Sequence, residues 1–98
     1  MARAAARAED ALGFGRAARL YEIALRHLSG EEERQTVRVK YADALANAGR
    51  GAEAAPQYME AARTANAAGR LELRRRAAEQ YLRSGHTEEG VATLREVL

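Results

Sequence analysis

The feature that most constrains the fold is a repeat of small residues at intervals of 36 or 37 positions. The positions that align are Ala17, Ala54 and Gly90; Tyr21, Tyr58 and Leu94; Ala24, Ala61 and Val97; Ala5, Ala42 and Ala78; and Ala8, Leu45 and Tyr81. Within each copy they lie three or four residues apart, which is the spacing of one buried helix face before a turn and one after it. Each copy is therefore predicted to be a helical hairpin.

Glycines mark where the helices are expected to end. Glycine adopts the left-handed conformation that closes a helix, and it recurs at Gly13 and Gly15, at Gly49 and Gly51, and at Gly85, while Ser29-Gly30 and Gly69 separate the copies. Ser29 and Thr87 precede glutamates, as helix N-caps do. The pattern predicts six helices, over residues 2–11, 15–28, 32–48, 52–67, 71–84 and 87–98. Pro56 fits as an early-helix proline, or else starts its helix late or bends it.

Composition supports an all-α fold in one domain, residues 1–98. The chain has 98 residues, of which 47% are apolar and only 5% aromatic, and much of the apolar fraction is alanine. Alanine, arginine, leucine and glutamate favour helices, whereas the residues that strands favour are scarce. A core without bulky side chains must rely on close approach of helix backbones.

Charge and cysteine content narrow the classes of function. The net charge of +2 gives no concentrated positive field, so a nucleic-acid partner is not expected. There is no cysteine, hence no disulfide and no thiolate chemistry. No stretch of signal-peptide or membrane-spanning character is present, so we expect a cytoplasmic protein without a membrane partner.

The repeat resembles the tetratricopeptide repeat. Its small-and-large pattern is matched by Tyr41-Ala42, Leu45, Gly49, Ala54, Tyr58 and Ala61, and again by Ala77-Ala78, Tyr81, Gly85, Gly90, Leu94 and Val97. The resemblance implies a right-handed α-solenoid of about three hairpins, over residues 1–29, 32–68 and 70–98. Arg38 and Arg74 stand where the family often has tryptophan, and Ser29 and Asn66 where proline often closes the repeat.

The last segment, Leu71 to Leu98, is similar to repeat arrays of large bacterial signalling proteins that join a serine/threonine kinase to an ATPase module. This likeness implies that the chain is a fragment of such a protein. Any catalytic activity would then belong to domains outside these residues, and the chain itself is not expected to be an enzyme.

The family resemblance also implies a function. In tetratricopeptide proteins the first helix of each hairpin lines a concave groove that holds a protein or peptide, and this role carries over to Val39, Asp43, Ala46, Asn47, Glu72, Arg75, Glu79, Leu82 and Arg83. These nine are the predicted groove residues. The alternative is a structural or self-association segment of a longer solenoid, with a homodimer formed through the exposed terminal helices.

Other clusters favour structural explanations. His27 and His86 lack partners at metal-ligand spacing, Ser84-Gly85-His86 lies on a turn, and Glu31-Glu32-Glu33 fits the first turn of a helix. The run Arg74-Arg75-Arg76 lies among opposite charges. Glu72 is four residues before Arg76, and Glu79 is four before Arg83, as on an exposed helix face. We therefore expect no catalytic, cofactor or metal site.

Overall fold

Five α-helices build the part of the chain that the structure, a computed structural model, describes: the backbone of residues 2–97 and the side chains of residues 10–97. They are α1 (Ala2–His27), α2 (Glu31–Asn47), α3 (Gly51–Ala62), α4 (Ala67–Arg83) and α5 (Thr87–Val97). No strand occurs in residues 2–97. The predicted all-α class is confirmed, whereas the side chains of Ala5, Ala8 and Leu98, to which the repeat was also assigned, lie outside the described residues.

Consecutive helices pack against each other, and the substantial contacts join α1 to α2, α2 to α3, α3 to α4 and α4 to α5. Only three or four residues connect each pair, so each pair must fold back as an antiparallel hairpin. The whole measures 42 × 34 × 18 Å. Both α2 and α4 pack on α3, and 19 residues separate them in the sequence.

Small side chains form the core, as the repeat predicts. Ala42, Ala54 and Ala78 have no exposed surface, and Leu45 is the largest side chain that is fully buried among the described residues. At Gly51 the helices approach so closely that an added Cβ atom would lie 3.0 Å from the backbone oxygen of Gln80. Among residues 10–29 the buried positions are Ala18 and Leu25, while the predicted Ala17, Tyr21 and Ala24 are only partly buried.

Two glycines end helices as the sequence predicts. Gly49 and Gly85 have φ angles of 79° and 84°, which place them in the left-handed region. After Gly49 the amide of Arg50 donates to the carbonyl of Leu45 at 2.9 Å, and after Gly85 the amide of His86 donates to the carbonyl of Tyr81 at 2.8 Å. These bonds complete a Schellman motif at the end of α2 and again at the end of α4.

The predicted break at Gly13 and Gly15 is wrong, because α1 runs without interruption from Ala2 to His27. Neither glycine has a positive φ angle. Glycine inside a helix costs about 1 kcal/mol relative to alanine, which is less than the hydrogen bonds that a break would expose. The two helices predicted over residues 2–11 and 15–28 are therefore one.

Smaller corrections concern the ends of other helices. α3 ends at Ala62 rather than at residue 67, and α4 begins at Ala67, so Gly69 lies in its first turn and donates to the side chain of Asn66 at 2.8 Å. The N-cap of α2 is Gly30 and not Ser29. Pro56 lies within α3, which begins at Gly51 and so does not start late.

Enlarging a buried alanine should destabilise the fold. Ala54→Leu places a larger side chain where no surface is exposed, and we expect the free energy of unfolding to fall by about 1 to 3 kcal/mol in urea titrations. Ala52→Leu, on the exposed side of the same helix, is the matched control and should change it by about 0.5 kcal/mol or less. Equal effects of the two substitutions would mean that the helix register is wrong.

Alanine at the two glycines of α1 tests its continuity. Neither site has an atom within 4 Å of the added Cβ, so Gly13→Ala with Gly15→Ala should raise the free energy of unfolding by about 1 to 2 kcal/mol. Gly85→Ala, at a left-handed position, should instead lower it by about 1 kcal/mol or more. Destabilisation by the α1 pair would indicate a turn in place of the continuous helix.

Candidate binding surface

The charged side chains of α4 and one carboxylate of α2 form a continuous chain of ion pairs. We call it the charge network, and its members are Asp43, Glu72, Arg75, Arg76, Glu79 and Arg83. Three carboxylates and three guanidinium groups give it no net charge. Their side chains remain between 37% and 71% exposed, so water and a ligand can both reach them.

Within α4 the pairs follow the helical spacing. The guanidinium of Arg75 donates two hydrogen bonds to Glu72, at 2.7 and 3.1 Å, and contacts Glu79 at 3.4 Å. Arg76 donates to Glu72 at 3.1 Å, and Arg83 contacts Glu79 at 2.7 Å. The predicted pairs of Glu72 with Arg76 and Glu79 with Arg83 are both confirmed.

One contact extends the charge network from α4 to α2. The Nη1 atom of Arg76 lies 3.4 Å from Oδ1 of Asp43, and the same carboxylate oxygen accepts a hydrogen bond from the hydroxyl of Tyr58 on α3. Tyr58 is only 3% exposed. Side chains from three helices therefore meet at Asp43, and a polar contact links α4 directly to α2.

The pKa shifts follow from this geometry. Hydrogen bonds from Arg75, and then from Arg76, lower the pKa of Glu72 from 4.5 to about 2. Burial, followed by the hydrogen bond to Asp43, raises the pKa of Tyr58 above its ordinary value of 10.0. At neutral pH Glu72 is therefore ionised and Tyr58 is protonated, and these are the states in which their hydrogen bonds form.

The predicted groove residues do not share one environment in the structure. Asp43, Glu72, Arg75, Glu79 and Arg83 belong to the charge network. Val39 and Ala46 are half-buried and pack against the core, while Asn47 is exposed. Leu82 is 41% exposed but lies against Gly90 of α5, where an added Cβ atom would come within 2.7 Å of it.

Sequence reasoning missed two partners of Asp43. The sequence predicts Arg76 only in an exposed pair on its own helix, and Tyr58 only in the core. A buried tyrosine hydroxyl usually finds a hydrogen-bond partner, and that rule could have directed attention to a nearby carboxylate.

Arg38 and Arg74, which stand where tetratricopeptide repeats often have tryptophan, each reach the helix that follows their own. Arg38 of α2 donates to Gln57 of α3 at 2.6 Å, and the Nε atom of Arg74 lies 3.7 Å from Glu96 of α5. Both arginines are half-buried. The Nε atom of Arg74 is itself buried and makes no hydrogen bond with the described residues.

The serine and histidine near the end of α4 are in contact, but the contact belongs to the turn. Oγ of Ser84 lies 3.0 Å from Nδ1 of His86 and donates to the carbonyl of Tyr81 at 3.1 Å. A hydroxyl has one proton, so Ser84 can donate either to the Tyr81 carbonyl or to His86, and the tautomer of His86 decides which.

A metal-ligand cluster or a membrane-spanning helix would indicate a different kind of function. The described side chains hold no group of three or more histidine or carboxylate residues that could bind a metal ion. Within residues 2–97, no helix has both the length and the apolar character needed to cross a membrane. Comparison with known proteins gives no match to a protein-family model, a curated protein or a solved structure.

Acid should remove the contribution of Glu72 to stability. Its folded-state pKa lies below the unfolded value of 4.5, so its stabilisation is complete above about pH 4.5 and is lost as the pH falls toward 2. We expect the urea midpoint of the native chain to exceed that of Glu72→Gln at pH 6, and this difference to vanish near pH 2.

Glu60→Gln provides the comparison for this experiment. Glu60 contacts one arginine, Arg63, at 3.3 Å, so at pH 6 its removal should change the urea midpoint less than Glu72→Gln does. A midpoint difference for Glu72→Gln that did not depend on pH would contradict the hydrogen bonds assigned to this carboxylate.

Proposed function

We propose that the chain is a helical-repeat scaffold that holds a protein or peptide partner across the exposed faces of α2 and α4. The observation that carries the proposal is the contact of Arg76 with Asp43, which joins these helices beside a row of exposed donors and acceptors. A preorganised surface loses little conformational entropy when a partner binds, and that saving favours affinity.

The chemistry of the charge network suits a polypeptide. Guanidinium groups donate hydrogen bonds and carboxylates accept them, so alternation along α4 offers both kinds of partner, and the exposed amide of Asn47 offers both on α2. Exposed ion pairs are worth about 0 to 1 kcal/mol each, so a partner can replace them at little cost. Because the network has no net charge, selection would depend on the pattern of charges.

Several observations support the tetratricopeptide assignment, which is part of this proposal. The alanines of the repeat are buried, and Gly49 and Gly85 close the first helices of two successive hairpins. The uninterrupted α1 departs from the family pattern. The likeness of Leu71–Leu98 to bacterial signalling proteins is the reason for proposing that the scaffold works in the cytoplasm as part of such a protein.

Peptide selection followed by a charge swap tests the proposal. Peptides that bind the native chain are first selected from a random displayed library, and their affinities are measured by fluorescence anisotropy. The double variant Arg75→Glu with Glu79→Arg keeps the net charge and reverses one pair of the network. We expect it to weaken binding by about tenfold, since oriented charge contacts are lost. Asp43 is left unchanged because it also accepts from Tyr58.

The matched control is Glu60→Arg with Arg63→Glu, which reverses an exposed pair at the end of α3. It should leave affinity within about twofold, the scale of a distant surface substitution. Circular dichroism would verify that both variants stay helical. Failure to enrich any peptide, or affinities that respond equally to both swaps, would contradict a binding surface on α2 and α4.

A further inference from the structure

A second surface lies on α1, away from the charge network. Leu12, Arg16, Leu20 and Ile23 follow one another at intervals of three or four residues, and Arg19 lies three residues after Arg16 and four before Ile23. The five residues therefore share one face of the helix, which we call the α1 stripe. All five side chains are exposed, with the two leucines at 62% and 67%. The buried residues Ala18 and Leu25 lie on the opposite face, toward α2.

The arginines of the α1 stripe differ from those of α4. Ion pairs between described side chains involve Arg26, Arg50, Arg63, Arg74, Arg75, Arg76 and Arg83, and none of these pairs includes Arg16 or Arg19. The nearest described carboxylate along the helix surface, Glu22, is already bound to Arg26 at 2.8 Å. The stripe thus combines apolar groups with two positive charges that no described side chain neutralises.

An open depression of about 740 Å³ lies at one end of the stripe, between α1 and the end of α2. Leu12, Gly15 and Ala48 give it an apolar lining, and Arg16 and Arg19 also border it. Gly15 has no atom within 4 Å of the place a Cβ would occupy, so the depression stays open there. Arg50 also borders it, but its guanidinium is held by two contacts to Glu53, at 2.5 and 3.0 Å.

We propose that the α1 stripe docks an acidic amphipathic helix of another protein. Leucine-type side chains of that helix would cover Leu12, Leu20 and Ile23 and enter the depression, while its carboxylates would pair with Arg16 and Arg19. The stripe is about 17 Å long, which corresponds to roughly three helical turns of a partner. Charge complementarity selects this occupant, since carboxylates would neutralise the two arginines as apolar contacts bury the leucines.

Two other occupants fit less well. A second copy docked face to face through the same stripe would bring arginines near arginines, and like charges in an interface oppose association. Nucleic acid would contact the arginines but would leave the three apolar side chains without an apolar partner. These two occupants are therefore included as competing outcomes of the experiment.

The probe is a fluorescein-labelled helical peptide of about 16 residues, with leucines on one face and glutamates beside them. A second peptide carries lysine in place of every glutamate. Anisotropy titrations with the native chain should show binding of the acidic peptide, weakened at high salt, and at least about tenfold weaker binding of the lysine peptide.

Variants locate the binding to the stripe. We expect Arg16→Glu with Arg19→Glu, and separately Leu20→Ser with Ile23→Ser, to weaken binding of the acidic peptide by about tenfold or more. The charge-matched control is Arg63→Glu with Arg95→Glu, at exposed residues that lie at the end of α3 and in α5. It changes the net charge by the same amount and should leave affinity within about twofold. The swap of Arg75 and Glu79 should also leave it unchanged, which separates this site from the α2 and α4 surface.

Three results would overturn the proposal. The first is absence of binding at millimolar acidic peptide, and the second is an equal loss of affinity in the stripe variants and the charge-matched control. The third is binding of another occupant to the stripe. It would be seen as concentration-dependent dimerisation in sedimentation velocity that Leu20→Ser abolishes, or as a labelled DNA duplex that binds more tightly than the acidic peptide.

Discussion

Close approach of helix backbones is the constraint on which this structure depends. Ala42, Ala54 and Ala78 are fully buried, and only Leu45 among the described residues combines a large side chain with complete burial. Dispersion attraction falls steeply with distance, so a core of methyl groups holds helices together only when they nearly touch. The same approach leaves no room at Gly51, which lies against the backbone of α4. A thin core of this kind tolerates little change in volume, and polar contacts between helices therefore matter for their relative positions.

The sequence allowed good prediction of α2 and α5, whose bounds agree to within about a residue, and of the buried alanines, because local periodicity and turn chemistry agree there. It failed at Gly13 and Gly15. Glycine is compatible with a helix interior and with a helix end, and local sequence does not decide between them. A break becomes favourable when the two segments can fold onto each other or onto further helices. In the part of the chain that the structure describes, α1 packs substantially on α2 alone, so continuous hydrogen bonding prevails.

The candidate surface was predictable to the extent that it follows helical spacing. Pairs four residues apart on α4 are properties of one helix, and they could be assigned before any fold was known. The contact between Asp43 and Arg76 joins residues 33 positions apart, and it depends on the register of three helices. Small differences in register would separate these side chains, so the periodic pattern of the sequence does not specify the contact. The periodic pattern does not specify the α1 stripe either. Its position depends on α1 being a single long helix and on which face of that helix α2 covers.

The succession of contacts, in which each helix rests chiefly on its neighbours in sequence, has a mechanical consequence. Chains built in this way fold quickly, because few of their contacts require distant segments to find each other. Such chains also unfold progressively under force. A pull applied to the two ends should detach the terminal helices, α1 and α5, before it disturbs the helices between them, so the fold should open in steps and not as a single unit. A tether made from this fold would therefore lengthen in small steps under load and recover each step as the load is released.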